Sequence, residues 1–190
     1  MSKRIALLSA AAFSAFALTA AIVVPVSAQD RMMSGEKTVM VGGAAMFPSR
    51  NIIQNALNSK DHTTLVAAVK AAGLVGTLEG KGPFTVFAPT NTAFGKLPAG
   101  TVDNLVKPEN KATLTKILTY HVVAGKLEAS DLTDGKKLKT VEGEELTVKR
   151  SGEKVMIVDA KGDSSTVTIS NVNQSNGVIH VVDTVLMPAS

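Results

Sequence analysis

Apolar residues fall in two patterns along the chain. The first is a block from Ile5 to Val24, relieved only by scattered Ser and Thr, preceded by Lys3 and Arg4 and ended by Pro25. No acidic residue appears before Asp30, and Val26-Ser27-Ala28 puts a small branched residue and an Ala where a signal peptidase reads them. This is the pattern of a secretory signal peptide, residues 1–28, cut after Ala28. The block also reaches spanning length, so an uncleaved anchor is the competing reading. Its Ala-rich, weakly hydrophobic composition and the well-placed cleavage site favour removal, which leaves no membrane span. Residues 29–47 then mix Met, Gly and charges without a period and read as a flexible leader.

The second pattern begins after Pro48. Asn51 to Leu57 predicts a short helix. Leu65, Ala68, Val69 and Ala72 recur at helical spacing, with Asp61 placed to cap that helix and Gly73 to stop it. Gly80-Lys81-Gly82-Pro83 predicts a turn into the β-rich run Phe84-Thr85-Val86-Phe87. Pro89 ends the run, and Thr90 or Asn91 can cap a short helix through Phe94. Val102, Leu105 and Val106 predict a further helical turn. Pro108 opens another helix with Leu114, Ile117 and Leu118 on one face. It ends near Tyr120, where Val122 and Val123 read as a strand.

Beyond this point the character changes to alternation: Glu145 to Lys149, a turn at Ser151-Gly152, Val155 to Val158, and Thr166 to Ser170. Val178 to Leu186 supplies a final strand, apolar on both faces over Val178, Ile179, Val181 and Val182, the mark of a central position. Helices concentrate in the N-terminal half and strands in the C-terminal half, without regular alternation. The expected fold class is therefore α+β, helices packed on a mainly antiparallel β-sheet wedge, in one domain over residues 48–188.

Composition narrows the chemistry. The 190 residues include no Cys and no Trp, which excludes a disulfide scaffold, a thiolate-ligated metal and a Cys nucleophile. The full chain carries 20 basic and 16 acidic residues. Removal of residues 1–28 takes Lys3 and Arg4 with it, so 20 minus 2 against 16 leaves a net +2. That charge, with one Tyr and six Phe to stack on bases, gives no nucleic-acid signature.

No catalytic constellation emerges. Gly80-Lys81-Gly82 lacks the strand, loop and helix of a phosphate cradle and reads as a turn. No Gly-x-Ser-x-Gly elbow is present. His62, His121 and His180 lie far apart and never pair at helical ligand spacing, so no metal or other cofactor is expected and the three read as hydrogen-bonded structural residues. His180 and Asp183, three apart on one strand, fall on opposite faces. Glu142, Glu144 and Glu145 read as a solvated hairpin edge, not a glycosidic acid pair. Lys161-Gly162-Asp163 resembles the tripeptides some adhesive loops present to integrins, but Gly-Asp between strands is ordinary turn chemistry. Asn173-Gln174-Ser175 satisfies the glycosylation pattern without further support.

Three ordered segments carry a family resemblance. Phe84-Thr85-Val86-Phe87-Ala88-Pro89-Thr90-Asn91-Thr92-Ala93-Phe94 resembles the first signature segment of the fasciclin domain, and Gly177 to Pro188 resembles the second. Tyr120-His121-Val122-Val123 is similar to the family's central Tyr-His segment, and Leu65 to Leu74 to its early amphipathic helix. Thr92 stands where an acidic or small residue is common. The resemblance implies a fasciclin-like fold and an exported, non-enzymatic adhesion or interaction module, secreted or periplasmic, acting at the cell surface or in the extracellular or periplasmic space. It implies a partner among cell-surface or matrix proteins or polysaccharides, and partner recognition through the segment holding Tyr120 and His121. The residues themselves leave His121 open between a contact and a structural hydrogen-bonder, with one polar tip of the pair expected to reach solvent. The alternative function is a periplasmic binder of a small apolar or saccharide ligand, which needs a formed pocket.

Overall fold

A computed structural model describes residues 36–189. The expected signal peptide and the first part of the expected leader lie outside these residues. The elements in order are strands β1 (Val39–Val41) and β2 (Ala44–Met46), and helices α1 (Ile52–Ala56), α2 (Thr63–Ala72) and α3 (Val75–Leu78). Strand β3 (Phe84–Pro89) is followed by helices α4 (Asn91–Gly95), α5 (Thr101–Leu105) and α6 (Lys111–Tyr120). The remainder is β4 (Val122–Ala124), β5 (Lys137–Lys139), β6 (Glu145–Ser151), β7 (Lys154–Val158), β8 (Ser164–Gln174) and β9 (Gly177–Val182). Single 3-10 turns at Lys60–His62 and Pro108–Asn110 lead into α2 and α6.

The fold is α+β, as the pattern predicts. Strands β3 to β9 form one seven-stranded sheet in the order β4-β3-β9-β8-β7-β6-β5. Every pairing in it is antiparallel except β3 with β9, which run parallel from Phe84 beside Gly177 to Pro89 beside Val182. Strand β9 is buried along its whole length, which explains why its sequence is apolar on both faces. It ends at Val182, short of the expected Leu186. The sheet curls until its edges meet: Val123 of β4 bridges Thr140 just beyond β5, and the Val141 N–H donates to the Val122 carbonyl at 2.7 Å. Two cores result. One lies between the helices and the sheet, with Ile52, Val69, Leu114, Ile117 and Ile179 in it. The other fills the inside of the curl, with Phe87, Tyr120, Leu132, Leu146 and Ile157 wholly enclosed.

Part of the stretch expected as a flexible leader is structured. Gly42 and Gly43, both at positive φ, turn β1 back on β2, and Val41 and Met46 enter the helical core. Gly-Gly between two short apolar runs is a hairpin signal; three-residue strands made it faint. The cap of α2 is also not where the sequence puts it. Asp61 lies in the 3-10 turn, and the position before Thr63 makes no side-chain cap. The N-terminus of α2 is capped from elsewhere: Asn91 Oδ1 accepts from the Thr64 N–H at 3.0 Å while its Nδ2 donates to the Lys60 carbonyl at 2.8 Å. Thr90 meanwhile caps α4, accepting from the Ala93 N–H at 3.2 Å. Gly73 does stop α2, at φ 75°.

The buried amide of Asn176 helps to join the layers. Asn176 Oδ1 accepts from the Ile52 N–H at 3.1 Å, and its Nδ2 donates to the carbonyls of Leu78 at 2.7 Å and Gly80 at 2.9 Å. Its own carbonyl accepts from the Phe84 N–H at 3.1 Å, so it ties the starts of α1 and β3 to the end of α3. Asn176→Ala strands several buried main-chain groups at once. It is expected to lower unfolding stability by about 2–4 kcal/mol, measurable as a lower urea midpoint with an unchanged slope.

Candidate functional site

Helix α6 ends at Tyr120 because the next residues must extend to pair with β3, and the change from helical to extended direction sends consecutive side chains into different cores. Tyr120 is 0% exposed and packs inside the curl; His121 is 2% exposed and lies on the helical side. The expectation that one polar tip of the pair reaches solvent is thus corrected: both polar ends are used internally. The reason is topological. The junction lies beneath the loop after β7 and beneath the segment after β9, and both cover it.

Each tip holds one of those segments. The Tyr120 hydroxyl accepts from the Ala160 N–H at 2.9 Å and points toward the Glu145 carbonyl at 3.4 Å. Burial, with the carboxylates of Asp159, Glu144 and Glu142 nearby, pushes its pKa up to about 12, so the phenol stays protonated at any ordinary pH. His121 Nδ1 donates to the Ile117 carbonyl at 2.8 Å, and Nε2 accepts from the Leu186 N–H at 3.0 Å. Only the neutral ring with its proton on Nδ1 can do both. Burial accordingly lowers its pKa to about 4, against the smaller upward pulls of the Ile117 carbonyl and Asp159.

Asp159 completes the group. It is buried, and its Oδ1 accepts from the N–H groups of Lys161 at 3.0 Å and Asp163 at 2.9 Å, while Oδ2 accepts from the Met187 N–H at 3.0 Å. Sequence reasoning passed over this residue, because an Asp before Ala-Lys-Gly-Asp reads as one more turn polar group. The turn it braces has Gly162 at φ 89° and leaves Lys161, Gly162 and Asp163 exposed at its tip. Tyr120, His121 and Asp159 therefore hold one exposed turn and the C-terminal segment to the junction between the cores.

The other candidates are separated. His62 Nδ1 and the Ser59 hydroxyl are 2.9 Å apart. His180 Nε2 lies 2.8 Å from the Leu127 carbonyl, its ring stacked on Phe87 with centroids 5.7 Å apart. Asp183 accepts from the Thr166 N–H at 2.8 Å and pairs with Lys96 at 3.6 Å. Glu142 pairs with Lys116 at 3.5 Å, Glu144 accepts from the Ala189 N–H at 2.9 Å, and Glu145 pairs with Lys137 at 3.3 Å. The glycosylation pattern straddles the end of β8, where Asn173 is half-buried and Gln174 buried, with Ser175 exposed in the turn that follows. Among the described residues no group of three or more His, Asp or Glu is placed to hold a metal ion, and no helix is long and apolar enough to cross a membrane.

The comparisons with known proteins agree with this architecture. The family model for the fasciclin domain matches residues 60–188. The chain belongs to the fasciclin domain family. It is 47% identical over 168 residues to protein sll1483 of Synechocystis sp., covering 88% of this chain and 90% of that one. It is 39% identical over 138 residues to the immunogenic protein MPB70 of Mycobacterium bovis, covering 70% of this chain and 66% of that protein. Against the cell surface glycolipoprotein MPB83 of the same species the identity is 39% over 153 residues, covering 78% and 64%. Among solved structures, a domain pair from the insect cell adhesion molecule fasciclin I matches with a TM-score of 0.66 at 18% identity, covering 74% of this chain and 52% of that chain. That likeness is one of fold. In this chain Tyr120 and His121 form a buried brace.

The tautomer demand on His121 has a pH consequence. The folded ring titrates near 4 and the unfolded ring near its ordinary value of 6.5. Its contribution is therefore complete above pH 6.5 and disappears as pH falls toward 4, a change of about 3 kcal/mol at most. Burial lowers the pKa of His62 and His180 as well, adding slope of the same sign in the same region. Denaturant midpoints should fall steeply from pH 7 to 4.5. A His121→Gln variant should start lower, by about 1–3 kcal/mol at pH 7, and fall less steeply.

Proposed function

We propose that this protein is an exported, non-enzymatic adhesion or interaction module that works at the cell surface or in the extracellular or periplasmic space. The observation that carries the reading is family membership combined with the buried brace. A fasciclin domain whose Tyr-His pair is committed to holding an exposed turn and the C-terminal segment is built to present main chain and loop side chains to a partner. Relatives described as a cell surface glycolipoprotein and a cell adhesion molecule support the same assignment. The N-terminal apolar block with its cleavage pattern supports export.

Tyr120 and His121 take part in recognition as positioning residues. The contact is made by the turn that Tyr120 holds and that Asp159 ties to the C-terminal segment held by His121, with Lys161 and Asp163 at its tip, against a cell-surface or matrix protein or a polysaccharide. No nucleic acid and no cofactor enter this reading.

Exported protein recovered after expression of the full chain should bind saturably to at least one of immobilised envelope polysaccharide, matrix protein or intact cells. The double substitution Lys161→Ala, Asp163→Ala should reduce that binding at least fivefold with the melting temperature unchanged. Tyr120→Phe, which removes the acceptor for the Ala160 N–H, should weaken binding and loosen the turn together. Absence of saturable binding to all three surfaces contradicts the reading.

A further inference from the structure

The outside of the curl shows a largely polar face over β5, β6 and β7. Alternate residues of these strands, Leu138, Leu146, Val148, Val155 and Ile157, are buried within. The outward positions carry four exposed lysines, Lys137, Lys139, Lys149 and Lys154, against one acid, Glu145. The pairing register puts the lysines in single file. Lys137 and Lys139, two apart on β5, stand about 7 Å from each other. Lys137 lies opposite Thr147, so Lys149 is its diagonal neighbour on β6. Lys149 in turn lies opposite Met156, so Lys154 is the next diagonal neighbour on β7. Each diagonal step is about 7–8 Å and runs the same way along the sheet, which makes a row of about 20 Å.

The row opposes folding through its own repulsion, because its charges stand within the screening length of about 8 Å at physiological salt. Lysines on an edge strand deter edge pairing, which accounts for Lys137 and Lys139 at most. Lys149 and Lys154 sit on strands with a neighbour on both sides. Lys137 pairs with Glu145 at 3.3 Å, open to solvent. Among the described residues, Lys139, Lys149 and Lys154 have no ionic partner.

This arrangement selects its occupant. Single file fits a linear polyanion, and the lysine ammonium, a point charge with rotatable donors, takes anions at varied angles where the fork of Arg does not. Thr147 and Ser151 add hydroxyls at outward positions beside the row, able to donate to and accept from sugar hydroxyls. No aromatic residue stands at an outward position of these strands to stack a base. Lysine is depleted where proteins bury surface against each other. The exposed large apolar side chains, Met40, Leu57, Val106 and Val141, all lie off these strands, so the face has none to enter a membrane.

We propose that the outer face of β5 to β7 is a binding site for a linear acidic polysaccharide, whose anionic groups are met in turn by Lys139, Lys137, Lys149 and Lys154. The row is distinct from the turn at Lys161 to Asp163, and it rests on the proposed function only for export, which brings it to such polymers.

The test measures binding of sodium alginate fragments to the protein recovered after expression of the full chain, with the propylene glycol ester of alginate as the uncharged control. Alginate should bind saturably, and the ester at least tenfold more weakly. Raising salt from about 50 to about 200 mM should weaken alginate about ten- to fiftyfold, the loss expected when about four cations are engaged. Lys149→Glu with Lys154→Glu should weaken it at least tenfold at an unchanged melting temperature. Lys149→Gln with Lys154→Gln should weaken it at least threefold and serves if the reversal fails to fold. Lys81→Glu with Lys107→Glu, the same change in net charge at exposed positions off the sheet, should leave it unchanged. Lys161→Ala with Asp163→Ala should also leave it unchanged, so this inference and the adhesive turn fail separately. No saturable binding, equal affinity for the ester, affinity kept in both row variants, or an equal loss in the Lys81 and Lys107 variant overturns the proposal. Tighter binding to oligothymidylate, or flotation with phosphatidylglycerol vesicles that the row reversal abolishes, assigns the row to nucleic acid or membrane and overturns it as well.

Discussion

The neutral imidazole of His121 is the constraint on which the two-core arrangement depends. One ring nitrogen donates back to the last turn of α6, and the other accepts from the main chain at Leu186, across 65 residues of sequence. A charged ring cannot accept, so the C-terminal segment would lose its buried partner while the charge gained no water. Tyr120, one residue earlier, reaches the opposite core and holds the loop after β7. Two adjacent side chains thereby pin two distant segments at the point where the helical layer gives way to the curled sheet. Asp159 ties those two segments to each other.

Much of the fold was legible because its signals are local. The Gly73 stop, the Thr90 cap and the helical faces of α2 and α6 follow from side chains within a turn or two of each other. Strand β9 was readable for a different reason: burial on both faces demands apolar residues at every position but His180. What was missed needs partners far away. The cap on α2 comes from Asn91, and the layers are joined by Asn176, both of which read as loop polarity in a linear scan. Strand β5 offers one apolar residue, Leu138, between two exposed lysines, too little to register. Strand β8 runs longer than its alternation because bulges near Ile169 and Asn171 break the period, with Asn171 at φ 57°. The Tyr-His segment was found by resemblance, yet its burial could not be: nothing in Tyr120-His121 says which loops will fold over it.

On the proposed function, that burial changes how the segment bears on recognition. A contact residue acts through its own surface, and its loss leaves the fold intact. A brace acts through the geometry of what it holds, so stability, loop order and binding change together. Tyr120 and His121 are built as braces in this chain, and the exposed turn between β7 and β8 is the surface segment that Tyr120 holds. An apolar cavity lies on the other side of the same junction, lined in part by His121, whose two ring nitrogens are both bonded to main chain.

Nitrogen-15 spectra of the His121 ring give the sharpest test of the brace. A buried ring bonded to Ile117 and Leu186 shows a protonated Nδ1 and an unprotonated Nε2 at pH 7, holds that state down to below pH 5, and keeps the Leu186 amide slow to exchange. A ring that titrates near 6.5 with rapid exchange at Leu186 would place His121 at the surface and contradict the buried brace.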